Sequence, residues 1–291
     1  MIKDFEYFAP KTLKEALTLL DKYRDECKII AGGQSLLILM RQRLVTPEYL
    51  IDIKGISELN YITSNAKKGL KIGALATHRA IEKSPAMKNG FSVLGEMERR
   101  LASVQTRNWG TIGGNICHGD PAGDPVPVLI ALRSTLKMAN LKDERTMPVE
   151  DFTLDYFETA LEPNELLTEI QVPLPSPHTG AAYTKFNIIE SDVATVGVAV
   201  SLTLGSGSGI CEDVRIVLGA SAPTPMRAKK AEGVLHGKKI TDNLLREAGV
   251  VASTEAEPIS DIAASAEYRR ELVRVLVARV GKEALARAKQ A

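Results

Sequence analysis

Two glycine-rich segments, about eighty residues apart, constrain the fold of this chain most strongly. The first, Ala31-Gly-Gly-Gln-Ser35, follows a short apolar stretch and precedes another from Leu36 to Leu44. The second, Thr111-Ile-Gly-Gly-Asn115, belongs to a long stretch from Arg107 to Pro125 that is rich in glycine, proline and polar residues and is predicted to be a loop. Taken alone, the first segment fits an ordinary tight turn as well as a ligand-binding loop. The two together predict loops that close on one phosphate-bearing ligand.

The physical reason for a phosphate is the exposed main chain that glycine permits. Glycine adopts positive φ and lets a ligand approach the backbone, whose N–H groups at a helix start favour an anion. Each charge-assisted hydrogen bond contributes roughly 1.5–3 kcal/mol, so several can hold a diphosphate. Neither segment matches the dinucleotide fingerprint or the P-loop pattern. The alternating glycines at 205–209 precede no helix and are interpreted as a hairpin tip.

Composition excludes several classes of protein. With 291 residues, 44% of them hydrophobic and 25% charged, the chain is long enough for about two globular domains. The net charge of +1 and an aromatic content of 5% predict no nucleic-acid partner. The N-terminus carries acidic residues where a signal peptide needs cations, and no apolar stretch reaches the ~20 residues that span a bilayer. A cytoplasmic protein is expected.

The three cysteines, Cys27, Cys117 and Cys211, are isolated from one another in the sequence and show neither a Cys-x-x-Cys motif nor the pattern of a disulfide framework. We therefore expect no iron–sulfur cluster and no structural zinc on this chain. Cys117 lies in the central glycine-rich stretch, but no base partner is specified for it. It is predicted to be a buried, small apolar side chain rather than a nucleophile.

The polar residues of the central stretch suggest ligand contacts rather than metal binding. His118, Asp120 and Asp124 lack the spacing of a zinc motif, so no metal site is predicted. Asp124 is better suited to accept hydrogen bonds from sugar-like hydroxyl groups. His78, in the first turn of a predicted helix, either contacts the ligand or is a solvated surface residue. We find no arrangement typical of a hydrolase, and we predict no catalytic residue.

Periodicity predicts an α+β protein. Ser35 and Thr77 are expected to cap helices, and the capping box Thr12-Leu-Lys-Glu15 starts another. A proline cluster, at positions 173, 175 and 177, marks the preferred domain boundary. The predicted helices cover 13–20, 36–44, a short segment after 77, 93–101 and 267–288, the last with an apolar stripe of Tyr268, Leu272, Leu276 and Val280. The predicted strands are 28–31, 49–53, 70–75, 166–172, 182–187, 194–204 and 214–219, with a hairpin over 134–147.

These segments resemble the FAD-binding (medium) subunit of the molybdenum hydroxylases, a family that includes carbon monoxide dehydrogenase, xanthine dehydrogenase and nicotine-type dehydrogenases. The resemblance extends over essentially the whole chain in order. It rests on the motifs at 31–37, 50–53, 72–78, 105–121 and 222–227 and on Tyr268-Arg-Arg. It implies a two-lobed FAD-binding domain of the vanillyl-alcohol oxidase and murein reductase type over residues 1–177, with lobes of about 1–57 and 58–177. Residues 178–291 would form a C-terminal domain, a three-stranded antiparallel sheet with a helical bundle.

The resemblance also implies which residues bind FAD. By similarity, Gly32 to Ser35 and Thr111 to Asn115 embrace the diphosphate, and Asp124 binds ribityl or ribose hydroxyls. Leu166 or Leu167 would border the isoalloxazine or the adenine. The full implied set is Ala31, Gly32, Gly33, Gln34, Ser35, Leu36, Thr77, His78, Ala102, Gly110, Thr111, Ile112, Gly113, Gly114, Asn115, Gly123, Asp124, Leu166, Leu167 and Lys185. The segment 187–192 departs from the basic pair and Gly-Asp of many relatives, so docking of the electron acceptor could differ here.

The function that the resemblance implies is electron transfer through FAD to an external acceptor, such as NAD, a quinone or oxygen. The molybdopterin cofactor and 2Fe–2S clusters would belong to partner subunits only: an iron–sulfur small subunit and a molybdopterin large subunit, in a dimer of heterotrimers. One alternative is a stand-alone FAD-dependent oxidase or reductase of a small molecule. Another is a nucleotide-binding module without enzymatic activity.

Overall fold

The computed structural model describes residues 2–88 and 90–291. Its strands are β1 Glu6–Phe8, β2 Cys27–Ile30, β3 Tyr49–Asp52, β4 Ile62–Asn65, β5 Gly69–Gly73, β6 Thr135–Ala139, β7 Glu144–Pro148, β8 Thr153–Asp155, β9 Glu158–Thr159, β10 Leu166–Val172, β11 Thr179–Phe186, β12 Val196–Leu204, β13 Cys211–Gly219 and β14 Met226–Arg227. Its helices are α1 Leu13–Tyr23, α2 Leu36–Arg41, α3 His78–Lys83, α4 Ser92–Arg100, α5 Val104–Trp109, α6 Ile112–His118, α7 Pro125–Ala131, α8 Lys229–Leu235, α9 Asp242–Glu255 and α10 Ala266–Ala288.

The first lobe is a small α/β unit. Its three strands pair in parallel in the order β1-β3-β2, and α1 buries its apolar face against them. The Thr12 hydroxyl accepts a hydrogen bond from the backbone N–H of Glu15 at 3.2 Å, so the predicted start of α1 is confirmed. The core around Ile51 also includes Leu75 and Leu166 of the second lobe, so the two lobes pack directly against each other.

The second lobe contains a five-stranded antiparallel sheet of order β4-β5-β10-β6-β7. The hairpin predicted over 134–147 is β6–β7, and the helix predicted over 93–101 is α4. On one face of the sheet, α4, α6 and α7 bury large side chains such as Leu94, Ile116 and Leu129 together with Ile72 of β5. This core supports the central glycine-rich stretch from one side.

The prediction of a long loop between Arg107 and Pro125 is wrong, because most of this stretch is helical. It contains the end of α5, all of α6 and the start of α7. Each of these helices has only six or seven residues, fewer than two full turns, so no apolar periodicity develops. Their glycines and prolines also lower helix propensity. The helix predicted over 36–44 ends early, at Arg41, and Arg43 adopts a φ of 59°.

The C-terminal part consists of a second antiparallel sheet covered by three helices. Three long strands, β11, β12 and β13, pair in sequence order, as predicted, and the two-residue β14 adds a fourth at the edge. The turn at 205–209 joins β12 to β13, which confirms the hairpin tip. A side chain at Gly180 of β11 would lie 2.1 Å from the carbonyl oxygen of Ala284, so α10 packs directly on the sheet.

The buried face of α10 differs from the predicted stripe. Leu276 and Val280 are buried as expected, but Tyr268 is 47% exposed. The face that meets the sheet is instead completed by Val273 and Val277, each at most 1% exposed. None of the helices in residues 2–88 and 90–291 has the length and apolar character that a membrane crossing requires.

Candidate functional site

The two glycine-rich segments meet in space. A side chain at Gly32 would lie 2.3 Å from the carbonyl oxygen of Trp109 and 2.7 Å from Cα of Gly110. The turn after β2 therefore packs backbone to backbone on the turn that precedes α6. Both turns line one cleft between the lobes, as predicted from the sequence.

The first turn presents unused backbone donors to this cleft. Gly33 has a φ of 69°, a conformation that glycine adopts without strain. In the described chain, no hydrogen bond uses the backbone N–H of the five residues from Gly32 to Leu36. Successive free N–H groups at a strand-to-helix turn form a concave site for an anion. The prediction that the Ser35 side chain caps α2 is wrong, since its hydroxyl makes no capping bond.

The second turn was expected to bind the diphosphate as the first does, but it offers no free backbone N–H groups from Ile112 to Asn115. Its backbone N–H groups from Ile112 to Asn115 are all engaged, with the carbonyls of Ala76, Ala74 and Thr111 and with the Thr111 hydroxyl. What remains for a ligand is the exposed surface of Gly114, the hydroxyl hydrogen of Thr111 and the Asn115 amide. The Asn115 Oδ1 is buried without a partner in the described chain, as expected of a group that awaits a ligand or water.

The glycines of the two turns have distinct neighbours. A side chain at Gly33 would point toward Leu37 and Ile30 at 3.0 and 3.4 Å, away from an anion in the cleft. At Gly113 it would meet the Ala74 carbonyl oxygen at 2.6 Å, whereas at Gly114 it would meet only the Thr111 hydroxyl oxygen, at 2.9 Å, and the Ala31 methyl group, at 3.9 Å. Gly114 is therefore the glycine whose missing side chain leaves room in the cleft.

The cleft has two arms that meet at Ala31, Ser35, Leu36 and Gly114. The polar arm, with a cavity volume of about 250 Å³, is lined on its far side by His78, Ala102, Gly110, Gly123, Asp124, Lys185 and Val193. The apolar arm, of about 650 Å³, is lined by Leu39, Leu44, Leu75, Gly113, Cys117, Phe157, Leu166 and Leu167. Eighteen of the twenty predicted site residues line one arm or the other.

Thr77 and Ile112 are the two predicted residues that the structure does not bring to the cleft. The Thr77 hydroxyl accepts a hydrogen bond from the backbone N–H of Ala80 at 3.1 Å and so caps α3. Ile112 is fully buried in the core of the second lobe. Each residue directly precedes one that does line the cleft, His78 or Gly113.

In the polar arm, Asp124 is bound by two residues of β11. Its Oδ1 accepts a hydrogen bond from the Tyr183 hydroxyl at 2.6 Å, and its Oδ2 accepts one from Lys185 Nζ at 2.7 Å. Burial raises the pKa of Asp124, while Lys185 and Tyr183 oppose this shift. The side chains of Asp124 and Lys185 are only 4% and 3% exposed, so this ion pair also fastens the second lobe to the C-terminal sheet. Each carboxylate oxygen keeps a further lone pair for a ligand hydroxyl.

His78 is buried rather than solvated, which rules out the surface alternative. The residue is 2% exposed, its Nδ1 lies 2.8 Å from Oε2 of Glu98, and its backbone N–H bonds the carbonyl of Gly110. Glu98, in the last turn of the amphipathic α4, is fully buried. Its role cannot be recognised from the sequence, because its partner lies twenty residues away on another helix.

Arg107 orders the backbone of Leu101 and Ala102 in the wall of the polar arm, a role that was not predicted from the sequence. Its Nη1 donates to the carbonyls of Leu101 and Ala102 at 2.6 and 2.8 Å, and its Nε donates to Glu82 at 3.1 Å. Ala102 has a φ of 42°, a strained conformation for a residue with a side chain. Arg107 is 7% exposed and satisfies the two carbonyls that this turn leaves without helical partners.

In the described chain, Cys117 and His118 provide neither a nucleophile nor a metal site. Burial raises the pKa of the half-buried Cys117 thiol to about 12, so it stays protonated and is not a nucleophile. The ring of His118 lies 5.2 Å from that of Phe157. Within residues 2–88 and 90–291, no three His, Cys, Asp or Glu side chains are grouped so that they could hold a metal ion. The free amides, the bare glycine surface and the unpaired Asn115 oxygen fit a ligand with an anionic centre and polar groups on one side.

Comparison with known proteins gives matches over nearly the whole chain. Residues 3–175 match the family model of the FAD-binding domain in molybdopterin dehydrogenase, and residues 181–284 match the CO dehydrogenase flavoprotein C-terminal domain. The carbon monoxide dehydrogenase medium chain of Hydrogenophaga pseudoflava is 36% identical, over 97% of this chain and 98% of its own length. The glyceraldehyde dehydrogenase medium chain of Sulfolobus acidocaldarius is 34% identical, over 96% of this chain and 98% of its own.

Solved structures give the same result. A chain of the Hydrogenophaga pseudoflava carbon monoxide dehydrogenase that lacks the Mo-pyranopterin moiety superimposes with a TM-score of 0.95, at 36% identity and with 99% of both chains covered. A chain of quinoline 2-oxidoreductase from Pseudomonas putida 86 superimposes with a TM-score of 0.92, at 31% identity and the same coverage. The similarity therefore includes both the FAD-binding part and the C-terminal part.

Proposed function

Because the chain belongs to the family of FAD-binding medium subunits of molybdenum-containing dehydrogenases, we propose that its cleft holds FAD with the diphosphate on the turn from Ala31 to Leu36. The observation that carries this proposal is the run of five backbone N–H groups without a partner in the described chain. A diphosphate is an anion that such a turn binds well, since several charge-assisted hydrogen bonds act together. The exposed surface of Gly114 lets the diphosphate approach from the other side.

The chemistry of the two arms suggests how FAD is oriented. The flavin, which has polar atoms along one edge, lies in the polar arm beside His78, Ala102 and Lys185. The adenine lies in the apolar arm, against Leu166 and Leu167 of β10. Asp124 accepts hydrogen bonds from the ribityl hydroxyls with the lone pairs that Tyr183 and Lys185 leave free. The FAD-binding domain comprises residues 1–177, with lobes of about 1–57 and 58–177, and residues 178–291 form the C-terminal domain.

Bound FAD supplies the redox chemistry, and this chain orients and tunes it. In the proposed complex, a molybdopterin large subunit oxidises the substrate and an iron–sulfur small subunit passes electrons to the flavin. The flavin then reduces an external acceptor. The chains form a dimer of heterotrimers in the cytoplasm. The names of the Hydrogenophaga and Sulfolobus relatives as medium chains support the existence of other subunits.

A surface suited to binding a partner subunit lies at the mouth of the cleft. Ile188, Ile189 and Val193 are 67%, 60% and 63% exposed, and Val193 also lines the polar arm. Ile188 and Val193 also line one surface cavity, and contiguous exposed apolar side chains mark interaction sites. Co-expression with the two proposed subunits and analysis of the purified complex by mass would test the assembly, since recovery of this chain alone would contradict it.

A matched pair of glycine substitutions tests the FAD site. Gly114→Val places a side chain in the cleft, so we expect the purified chain to lose FAD binding by at least about tenfold, or roughly 1.4 kcal/mol. The control is Gly233→Val in α8, an exposed helical glycine with no atom within 4 Å of an added side chain. Titration of each variant with FAD gives the dissociation constants. Equal affinity of G114V and G233V would show that the diphosphate does not lie against Gly114.

A further inference from the structure

His78 and Glu98 form a buried pair in the wall of the polar arm. The pair is joined by the 2.8 Å contact between Nδ1 and Oε2, and the exposed fractions of the two residues are 2% and 0%. In the described chain, Oε1 of Glu98 has no hydrogen-bond partner and no protein group bonds Nε2 of His78. His78 lines the cleft, so Nε2 is the nitrogen of this pair that is free for a ligand.

Burial decides how many protons the pair holds. Loss of hydration raises the pKa of Glu98, and the negative charge of Asp124 acts in the same direction, while His78 and Arg107 oppose it. With one proton between Nδ1 and Oε2 and a second on Nε2, the pair is neutral overall. Removal of either proton leaves a net negative charge in a dry site, which is costly. A dry site favours a pair without net charge, and in that form Nε2 carries a hydrogen.

The charged groups near the pair already have protein partners. Asp124 is already engaged by Lys185 and Tyr183, and Arg107 is engaged by Glu82 and by two carbonyls. Unlike Asp124, the His78 imidazole has one polar atom, Nε2, without a protein partner in the described chain. Only Glu98 contacts its other nitrogen in the described chain.

We propose that Glu98 is a positioning residue that keeps a hydrogen on Nε2 of His78, so that the imidazole donates a hydrogen bond to FAD and favours its reduced form. The inference rests on the proposed function, because it requires the flavin in the polar arm. Negative charge on a bound, reduced flavin would be stabilised if the shared proton lay on Nδ1 rather than on Oε2. His78 would then be an imidazolium that faces the cleft, balanced by the Glu98 carboxylate.

Glu98→Gln tests this directly, since a neutral amide can hold the imidazole in place but cannot balance its positive charge. In the full-length chain with bound FAD, we expect reduced FAD to lose about tenfold more affinity than oxidised FAD. For a two-electron couple this equals a fall of about 30 mV in the reduction potential. The potential is measured by equilibrium titration against a reference dye, and both affinities by direct titration.

The control is the same substitution in a His78→Gln background. If Glu98 acts through His78, E98Q changes the potential of the wild-type chain but not that of H78Q. An equal fall in both backgrounds, or equal loss of affinity for both redox states with an unchanged potential, would overturn the proposal. Should E98Q alone fail to fold, H78Q alone is expected to lower the potential, and an unchanged potential would again overturn it. A wild-type chain that binds no FAD would contradict the proposed function itself.

Discussion

At the scale of single residues, the glycines of the cleft have different physical reasons to be glycine. Gly32 makes room for the backbone of Trp109 and Gly110, Gly33 supplies a positive φ, and Gly114 leaves open space. The sequence pattern predicts that the two turns converge, because glycine clusters beside strands are typical of ligand loops. It cannot assign these roles, since each depends on a neighbour that is distant in sequence.

Gly32→Ala separates the structural from the ligand-binding role. The new methyl group would meet the Trp109 carbonyl oxygen at 2.3 Å, so the two turns must move apart. We expect the free energy of unfolding in the absence of FAD to fall by about 1–3 kcal/mol, as is usual for overpacking. Gly114→Ala should change this free energy by at most about 1 kcal/mol, because its methyl group would meet only the Thr111 hydroxyl oxygen, at 2.9 Å, and the higher helix propensity of alanine opposes that cost. Urea denaturation measures both, and equal stabilities would contradict the packing of the turns.

The polar partners within the site were not predictable from the sequence. Glu98 and Arg107 lie among residues that read as an amphipathic helix and a loop, and Tyr183 lies on β11 of the C-terminal sheet. Their roles follow from burial and from bonds that span up to fifty-nine residues. By contrast, the sequence predicts Asp124 as a site residue from its chemistry and Lys185 from the family resemblance, and the structure adds that they bind each other.

At the scale of elements, prediction succeeded where one face of an element is buried over several turns or residues. The strands β3 and β10, the hairpin β6–β7 and the helix α1 were found because their periodic patterns are long enough to read. The short helices α5, α6 and α7 were missed, since tertiary packing and capping rather than propensity stabilise them. The cap of α6, Thr111, is itself part of the motif that reads as a loop.

The start of β10, which carries Leu166 and Leu167, is fixed by an ion pair between Arg145 and Glu165. The guanidinium donates to both oxygens of Glu165 at 2.7 Å and to the carbonyl of Ala160 at 2.6 Å. The hydrogen bonds from Arg145 are the main reason that the pKa of Glu165 is lowered. The Glu165 side chain is only 4% exposed, so the pair orders the wall of the apolar arm.

Arg145→Met should therefore destabilise the chain in a pH-dependent way. Because the pKa of Glu165 is lower in the folded than in the unfolded state, its contribution is present above the usual glutamate pKa, about 4.3, and is lost as pH falls. We expect the substitution to cost about 1 kcal/mol near neutral pH and less in acid. Arg274→Met removes an exposed pair with Glu271 and serves as the control. A cost that is the same at all pH values would contradict this assignment.

At the scale of the whole molecule, the packing joins the parts on either side of the proline cluster. The core of the second lobe includes Tyr183, Ala199 and Val217 from the C-terminal sheet. The ion pair between Arg287 of α10 and Glu96 of α4, at 2.7 Å, crosses the same junction. The proline cluster predicts a domain boundary, but the sequence does not indicate how much core the parts on either side share.

The shared core predicts that the chain unfolds as one unit. Trp109, the single tryptophan, lies beside the cleft, whereas much of the helix content belongs to α9 and α10. Tryptophan fluorescence and far-ultraviolet circular dichroism should therefore give coincident transitions in urea. Two separate transitions would show that the C-terminal part unfolds independently of the cleft.

The most direct test of the FAD site is the response of the backbone amides of Gly32, Gly33, Gln34, Ser35 and Leu36 when FAD is added. In amide-resolved NMR spectra of the full-length chain, we expect these five signals to shift strongly, because their free N–H groups become donors to the diphosphate. The glycines of the 205–209 turn, which lie outside both arms of the cleft, should not change. Binding of FAD without a change at residues 32–36 would contradict the placement of the diphosphate on this turn.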